Sequence, residues 1–166
     1  RAAIQNLVVT GTEDLELSGD IDLGSTGEYR TNRIENAGFT LFSGAITNTG
    51  NFYKTGPGPL TLSGNNRYTG TMTVVEGTTI LSGNNSYTGD TTVRAGAVLK
   101  MGATGATPVG TGRGNLVVNG LLDLNGCSTA VNGLSGSGMV SNGAGAGTYT
   151  LTLGHNDVSG TNGGLI

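Results

Sequence analysis

Tryptophan is absent from this 166-residue chain, cysteine and histidine occur once each, and proline occurs three times. A lone cysteine, Cys127, excludes an internal disulfide framework. Together with His155 it falls short of the roughly four Cys/His ligands of a structural zinc site. Charge is scarce as well. Only 11% of residues are charged and the formal net charge is -3. The eight basic residues are scattered from Arg1 to Arg113, so no basic patch exists to hold phosphate, and nucleic acid is not an expected partner. No stretch approaches the ~18 consecutive apolar residues of a membrane helix, so this segment is not expected to insert in a membrane. No signal-peptide pattern precedes the strand-like residues that follow Arg1, which points to a mature or excised piece of something longer.

Apolar residues make up 35% of the chain, below the usual share for a globular domain. That is too little for a thick core with helices on both faces of a sheet. Disorder is the obvious alternative, but disordered chains are rich in Pro, Lys and Glu and carry high net charge. Here glycine supplies 32 residues, and β-forming residues recur in short alternating runs. A polar, regular β structure fits this composition.

An internal repeat decides which one. Leu62-Ser63-Gly64-Asn65-Asn66-Arg67-Tyr68-Thr69-Gly70 returns 19 residues later as Leu81-Ser82-Gly83-Asn84-Asn85-Ser86-Tyr87-Thr88-Gly89. The offset persists from Thr73-Val74 to Thr92-Val93 and from Gly77 to Gly96. Within a unit, Leu60-Thr61-Leu62 alternates as a half-buried strand does. Ser63-Gly64-Asn65-Asn66 is turn chemistry, Thr71-Met72-Thr73-Val74 alternates again, and Glu76-Gly77 closes the unit. Weaker copies lie upstream at Leu7-Val9, Leu15-Gly19, Ile21-Gly24 and Phe39-Gly44. Downstream they lie at Leu116-Gly120, Leu122-Gly126 and Leu151-Gly154.

A fixed offset without insertions favours a parallel β-helix, a solenoid in which equivalent residues stack at the ~4.8 Å strand spacing. At ~19 residues per turn the chain makes about eight or nine turns, a rod roughly 40 Å long. Leu62 then sits over Leu81, Val74 over Val93, Asn65 over Asn84 and Tyr68 over Tyr87. The leucine and valine columns form a thin core, asparagine columns bond amide to amide up the rod, and threonine columns face solvent. Residues 1–166 read as a single region, with the strongest repeats at 54–100. The section 101–166 is rich in glycine and contains only Arg113, Asp123 and Asp157 as charged residues.

The segment Lys54-Thr55-Gly56-Pro57-Gly58-Pro59-Leu60-Thr61-Leu62-Ser63-Gly64-Asn65-Asn66, followed by Tyr68-Thr69-Gly70 and Thr73-Val74, resembles the autotransporter-associated β-strand repeat, or passenger-associated transport repeat. Leu122-Asp123-Leu124-Asn125-Gly126 with Leu134-Ser135-Gly136-Ser137-Gly138 is similar in spacing, as is Leu151-Thr152-Leu153-Gly154 with Ser159-Gly160-Thr161. The likeness covers roughly residues 40–166, and more faintly 1–39. It implies a right-handed parallel β-helix, export across two bacterial membranes and display at the cell surface. The repeat itself brings no catalytic residues, and fold similarity assigns no chemistry.

Possible sites have bland alternatives that win. His155 and Asp157 share a strand face, as a Ser–His–Asp site requires, yet hydroxyls are too abundant here for one nearby to mean anything. Cys127 as a nucleophile would again need His155 as its base. Asp20 and Asp22 lie on one face close in sequence to Glu13, Asp14 and Glu16. Such oxygen clusters hold calcium in some proteins, although a solvated acidic face is the simpler reading. Glu28 and Glu35 are the carboxylates to consider for a glycosidase pair. The aromatic platform for sugar is thin: Tyr29, Tyr53, Tyr68, Tyr87 and Tyr149, with Tyr68 and Tyr87 better explained as register stackers. The Gly-rich stretches lack the Lys-Ser/Thr ending of a phosphate loop. No catalytic, cofactor-binding or metal-ligating residue is assigned, and no cofactor is expected.

The expected role is therefore structural and not enzymatic: an extracellular rod serving as a cell-surface stalk, passenger or adhesin scaffold. A self-assembling filament subunit stacking end to end is the alternative, since strand-like Ile4–Val9 and Leu165-Ile166 carry no polar cap. A glycan-binding module or polysaccharide-active enzyme ranks below both. The expected partners are neighbouring β-helix segments or copies of itself, with surface glycans or host proteins as further candidates.

Overall fold

The computed structural model describes residues 6–24, 31–144, 146–155 and 160–166. Among them there is no helix, and every strand pairing is parallel. Two seven-stranded sheets run the length of the molecule. The first takes the strands Val8–Val9, Thr31–Ile34, Asn51–Lys54, Met72–Val74, Thr91–Val93, Leu116–Val118 and Leu134–Ser135 in sequence order. The second takes Leu15–Leu17, Thr40–Phe42, Leu60–Leu62, Thr78–Leu81, Val98–Met101, Leu121–Asp123 and Met139–Ser141, also in order. Successive strands of the chain alternate between the sheets, so each sheet grows by one strand per turn. This is a parallel β-solenoid.

The alternating apolar residues produce it directly. Leu60, Thr61 and Leu62 are buried, half-buried and buried, as are Leu116, Val117 and Val118. Each inward residue lands on its equivalent in the next turn. Leu62 pairs with Leu81, Val74 with Val93, and Thr73 with Thr92. The core is the resulting set of columns, from Val9 and Ile34 through Phe52, Leu62, Met72 and Leu81 to Leu99, Val118 and Leu122.

A third face closes the coil. It has regular strands at Ile21–Asp22 with Ile46–Thr47 and at Thr129–Ala130 with Leu151–Thr152. Between these it continues as single main-chain bonds, with Arg67 N–H donating to Ile46 O at 2.8 Å and Ser86 N–H to Asn66 O at 2.7 Å. Asn66, which the sequence presents as the end of a turn, therefore opens a stretch of wall reaching Tyr68, and the side chains of Asn66 and Tyr68 are buried inside.

The solenoid has about six turns and not the eight or nine expected. Two causes act together. Several apolar alternations that read as separate copies are faces of one turn: Leu15–Leu17 and Ile21–Asp22 follow Val8–Val9 within the first, and Leu116–Val118 and Leu121–Asp123 share another. Turns also vary in length. The step from Met72 to Thr91 spans 19 residues, but Val8 to Arg33 and Thr91 to Leu116 each span 25. In the latter, the surplus spills out between Met101 and Leu116, where Gly105, Gly110 and Gly112 take φ of 70°, 99° and 76°. The rod is accordingly roughly 30 Å long at the strand spacing.

The threonines also depart from expectation. Thr61 and Thr92 are half-exposed, but Thr40, Thr73, Thr79 and Thr91 are buried. Two of these hydroxyls find side-chain partners, Thr91 with the Tyr87 hydroxyl at 2.7 Å and Thr40 with Asn36 at 3.0 Å, whereas the Thr79 hydroxyl is buried without one.

Candidate functional site: the stacking columns

What this molecule can do follows from how its turns hold one another. Three kinds of column do the holding, beyond the aliphatic core.

The first is aromatic. Tyr68 and Tyr87 stack with ring centroids 4.9 Å apart and planes 10° from parallel. Phe52 lies 6.4 Å from Tyr68, and Phe42 meets Phe52 edge-on at 6.3 Å. Such pairs add about 0.5–1.5 kcal/mol beyond burial. Burial pushes the Tyr68 phenol well above its usual pKa, with nearby Tyr87 adding to the shift. Burial also raises Tyr87 to about 12 against the pull of its Thr91 hydrogen bond. The Tyr68 hydroxyl is buried without a partner.

The second is amide. Asn66 Nδ2 donates to Asn85 Oδ1 at 2.7 Å, and Asn85 Nδ2 donates on to Ala106 O at 2.7 Å. Asn66 Oδ1 accepts Ile46 N–H from the preceding turn at 2.9 Å. The ladder thus ties four successive turns inside the wall. Asn65 and Asn84 stack as expected but differently bonded, with Asn84 N–H donating to Asn65 Oδ1 at 3.0 Å.

The third is glycine. A Cβ built on Gly44, Gly64 or Gly83 would strike the carbonyl oxygen of Gly19, Gly44 or Gly64 in the turn before. The same holds for Gly70, Gly89 and Gly114 against the carbonyl oxygens of Gly50, Gly70 and Gly89 at another corner. In every case the approach is far inside the 3.0 Å that real Cβ atoms respect. Glycine here is required by close approach between turns, and this accounts for much of its abundance.

Polar side chains complete the corners where strand pairing stops. Asp14 Oδ1 accepts Phe39 N–H at 2.9 Å, Asp20 Oδ1 accepts Ala45 N–H at 2.8 Å and Asp90 Oδ1 accepts Asn115 N–H at 2.8 Å. Asp22 accepts Gly24 N–H at 2.7 Å and Asn48 Nδ2 at 2.6 Å. Of the acidic residues considered for calcium, Asp14, Asp20 and Asp22 are therefore engaged in capping main-chain donors, the first two in the following turn. Glu13 and Glu16 accept from Thr12 and Ser43 hydroxyls, each at 3.4 Å. Among the described residues, no three His, Cys, Asp or Glu side chains come together.

The remaining candidates are dispersed. His155 is exposed, and Asp157 lies outside the described residues. Cys127 is half-buried against the core, with Sγ 3.8 Å from Asn125 O and 4.0 Å from Met101 O. Glu35 pairs with Arg33 at 3.0 Å, while Glu28 and Tyr29 lie outside the described residues. Tyr53 and Tyr149 are half-buried. A recess at Thr91, Thr107, Pro108 and Asn132 offers about 10 Å³, room for one water and no sugar.

One residue is unmarked in the sequence pattern. Lys54 occupies the inward column Ile34–Lys54–Val74–Val93 and is 1% exposed. Its ammonium donates to Gly56 O and, at 3.3 Å, to Glu76 O in the next turn. A Cβ on Gly77 would lie 2.9 Å from Lys54 Nζ, so that glycine makes room for the head group. Burial lowers the lysine pKa, partly offset by Glu76. Only the strict strand alternation placing position 54 inward hints at this.

The fold and its columns define the class: a parallel β-solenoid scaffold assembled from stacked repeats. Residues 52–79 and 76–99 each match the family model of the passenger-associated-transport-repeat, so the chain contains this autotransporter-associated repeat across 52–99. No curated protein and no solved structure matches the chain. No helix among the described residues is long and apolar enough to cross a membrane.

Proposed function

We propose that the chain is a passenger-type scaffold, a rigid length of rod exported to the bacterial surface, with a structural and not a catalytic role. One observation carries this reading: the matched repeats are the ones in which the aromatic, amide and glycine columns coincide. Those residues serve the contact between turns. The coil is right-handed in this reading, because crossovers between parallel strands of one sheet are right-handed in nearly all proteins. Templated stacking supplies the mechanism. Each finished turn offers a ladder edge and column ends to the next, so a chain emerging from an export channel folds turn by turn and resists sliding back.

Pulse-labelled export of a parent chain carrying Leu62→Asp and Leu81→Asp tests this. Slowed appearance at the surface is expected; unchanged export kinetics would overturn the reading. A second reading, a filament subunit, draws on the exposed apolar residues Val8 and Met139 on edge strands of the two sheets. Exposed sheet edges recruit further strands, and a heterologous contact between them propagates as a fibre. Electron microscopy separates the two: uniform fibres favour the filament, short single rods the stalk or adhesin scaffold. Adhesion to glycans or host proteins would show on a glycan array or in binding to host cells.

A further inference from the structure

Five Asn-Gly dipeptides occur in the sequence, at Asn119, Asn125, Asn132, Asn142 and Asn162. This pairing is chemically reactive, because the glycine nitrogen can attack the asparagine side-chain carbon unhindered by a Cβ. Reaction requires removal of the glycine N–H proton and stabilisation of negative charge on the amide oxygen. The fold treats the five very differently.

Four of the glycine N–H groups donate to neutral oxygens, which cannot take a proton. Gly120 donates to Val93 O at 3.2 Å, and Gly163 to Gly136 O at 2.9 Å. Gly126 donates to Asn142 Oδ1 at 2.7 Å, and Gly133 to Asn115 Oδ1 at 3.0 Å. Asn132 is also 0% exposed, with its Nδ2 donating to the carbonyls of Gly110, Arg113 and Gly114. Gly143 alone donates to a carboxylate, Asp123 Oδ1, at 2.7 Å. The asparagine before it is exposed. Its Oδ1 is the atom that receives the Gly126 N–H.

We propose that Asn142–Gly143 is a self-modification site, with Asp123 as general base on the Gly143 amide and Gly126 N–H as oxyanion donor to Asn142. Asp123 Oδ1 takes the proton from Gly143 N, and the nitrogen forms a bond to Asn142 Cγ. Charge collects on Oδ1 opposite the Gly126 N–H. The Cγ–Nδ2 bond then breaks, and the nitrogen leaves as ammonia carrying the proton that Asp123 returns. A cyclic imide remains. Water opens it to aspartate or, by the other carbonyl, to isoaspartate, with no redox change. Isoaspartate lengthens the main chain by one carbon directly after the strand Met139–Ser141, beside the corner that Asp123 holds. The modification thereby loosens the turn that follows.

Peptide mapping by mass spectrometry of the folded protein during neutral incubation tests this, with the same protein in urea as reference. Asn142 is expected to convert faster when folded than when unfolded, and the other four sites slower. Asp123→Asn keeps the shape and an acceptor oxygen but removes the base. It should slow conversion at Asn142 by roughly a hundredfold, the lower end of general-base contributions, and leave Asn119 unchanged. Asn142 reacting more slowly folded than in urea would overturn the proposal, and so would an unaltered rate in folded Asp123→Asn. If that variant does not fold, the comparison of folded and urea-unfolded wild type decides alone.

Discussion

Gly64→Ala and Gly19→Ala are the same substitution in the same local sequence, Leu-Ser-Gly, and they should behave oppositely. At Gly64 the added Cβ would collide with Gly44 O and C of the previous turn; at Gly19 it meets nothing within 4 Å. Relief at Gly64 requires the turns to part by roughly an ångström at that corner, which overpacking data put at about 1–3 kcal/mol. The corner is pinned on both sides: Ser63 N–H donates to Phe42 O at 3.0 Å, and Ser82 N–H to Leu62 O at 2.9 Å. Stretching either forfeits part of a bond with a net value of about 1 kcal/mol. A total near 3 kcal/mol is expected for Gly64. Loss of glycine freedom in the unfolded chain stabilises both variants by about 0.4–1 kcal/mol, so the difference between them is free of it. Gly19→Ala should lie within about 0.5 kcal/mol of the parent, or slightly above. Urea denaturation followed by far-UV circular dichroism measures both. Equal midpoints for the two variants would refute the account of why glycine recurs in this sequence.

Three further outcomes follow from the buried polar groups. Tyr87→Phe strands the Thr91 hydroxyl and should destabilise by about 1–2 kcal/mol, whereas Tyr68→Phe removes an unpartnered buried hydroxyl and should be neutral or stabilising in the same urea assay. The Tyr87 phenol, raised to about 12 in the fold from 10.0, keeps its proton where the unfolded chain has lost it, so stability falls as pH rises from about 10 to about 12. Urea midpoints across that window should drop less in Tyr87→Phe than in the parent. Using this difference cancels Lys54, whose lowered pKa acts in the opposite direction. Asn85→Ala removes acceptor and donor from the amide ladder at once, leaving Asn66 Nδ2 and Ala106 O buried, and should cost about 2–4 kcal/mol; a loss under 0.5 kcal/mol would show that the ladder is incidental.

The sequence made the register between turns legible because near-identical repeats differ by a constant offset. Leu62 over Leu81 and Tyr68 over Tyr87 needed only that offset and the strand spacing. Turn count was not legible, since a face and a turn give the same short apolar alternation, and surplus residues at corners leave no periodic trace. The third face was hidden for a related reason. Asn66 is a residue type associated with turns, yet it points inward because ladder partners above and below satisfy its amide; Tyr68 follows it inward to stack on Tyr87, its hydroxyl without a partner. The acidic residues at 14, 20 and 22 suggested a cation because composition reports charge. It says nothing of the main-chain donors they meet, Phe39 and Ala45 in the next turn for Asp14 and Asp20, and Gly24 two residues on for Asp22.

Holding forces of this kind act between neighbouring turns only, so stability must be distributed turn by turn and not pooled in one core. The columns are unevenly filled. Between Phe52 and Met101 a turn gains aromatic stacking, an amide ladder and two glycine corners together. In the first turn Leu15, Leu17 and Ile21 are only half-buried and carboxylates cap the corners from exposed positions. Carboxylate caps are weakened by salt and by acid, whereas buried amide and glycine contacts are not. The acidic first turns should consequently lose amide-exchange protection as ionic strength rises, while residues 60–101 keep theirs. Uniform protection along the rod at high salt would mean that the turns cooperate more strongly than nearest-neighbour columns allow.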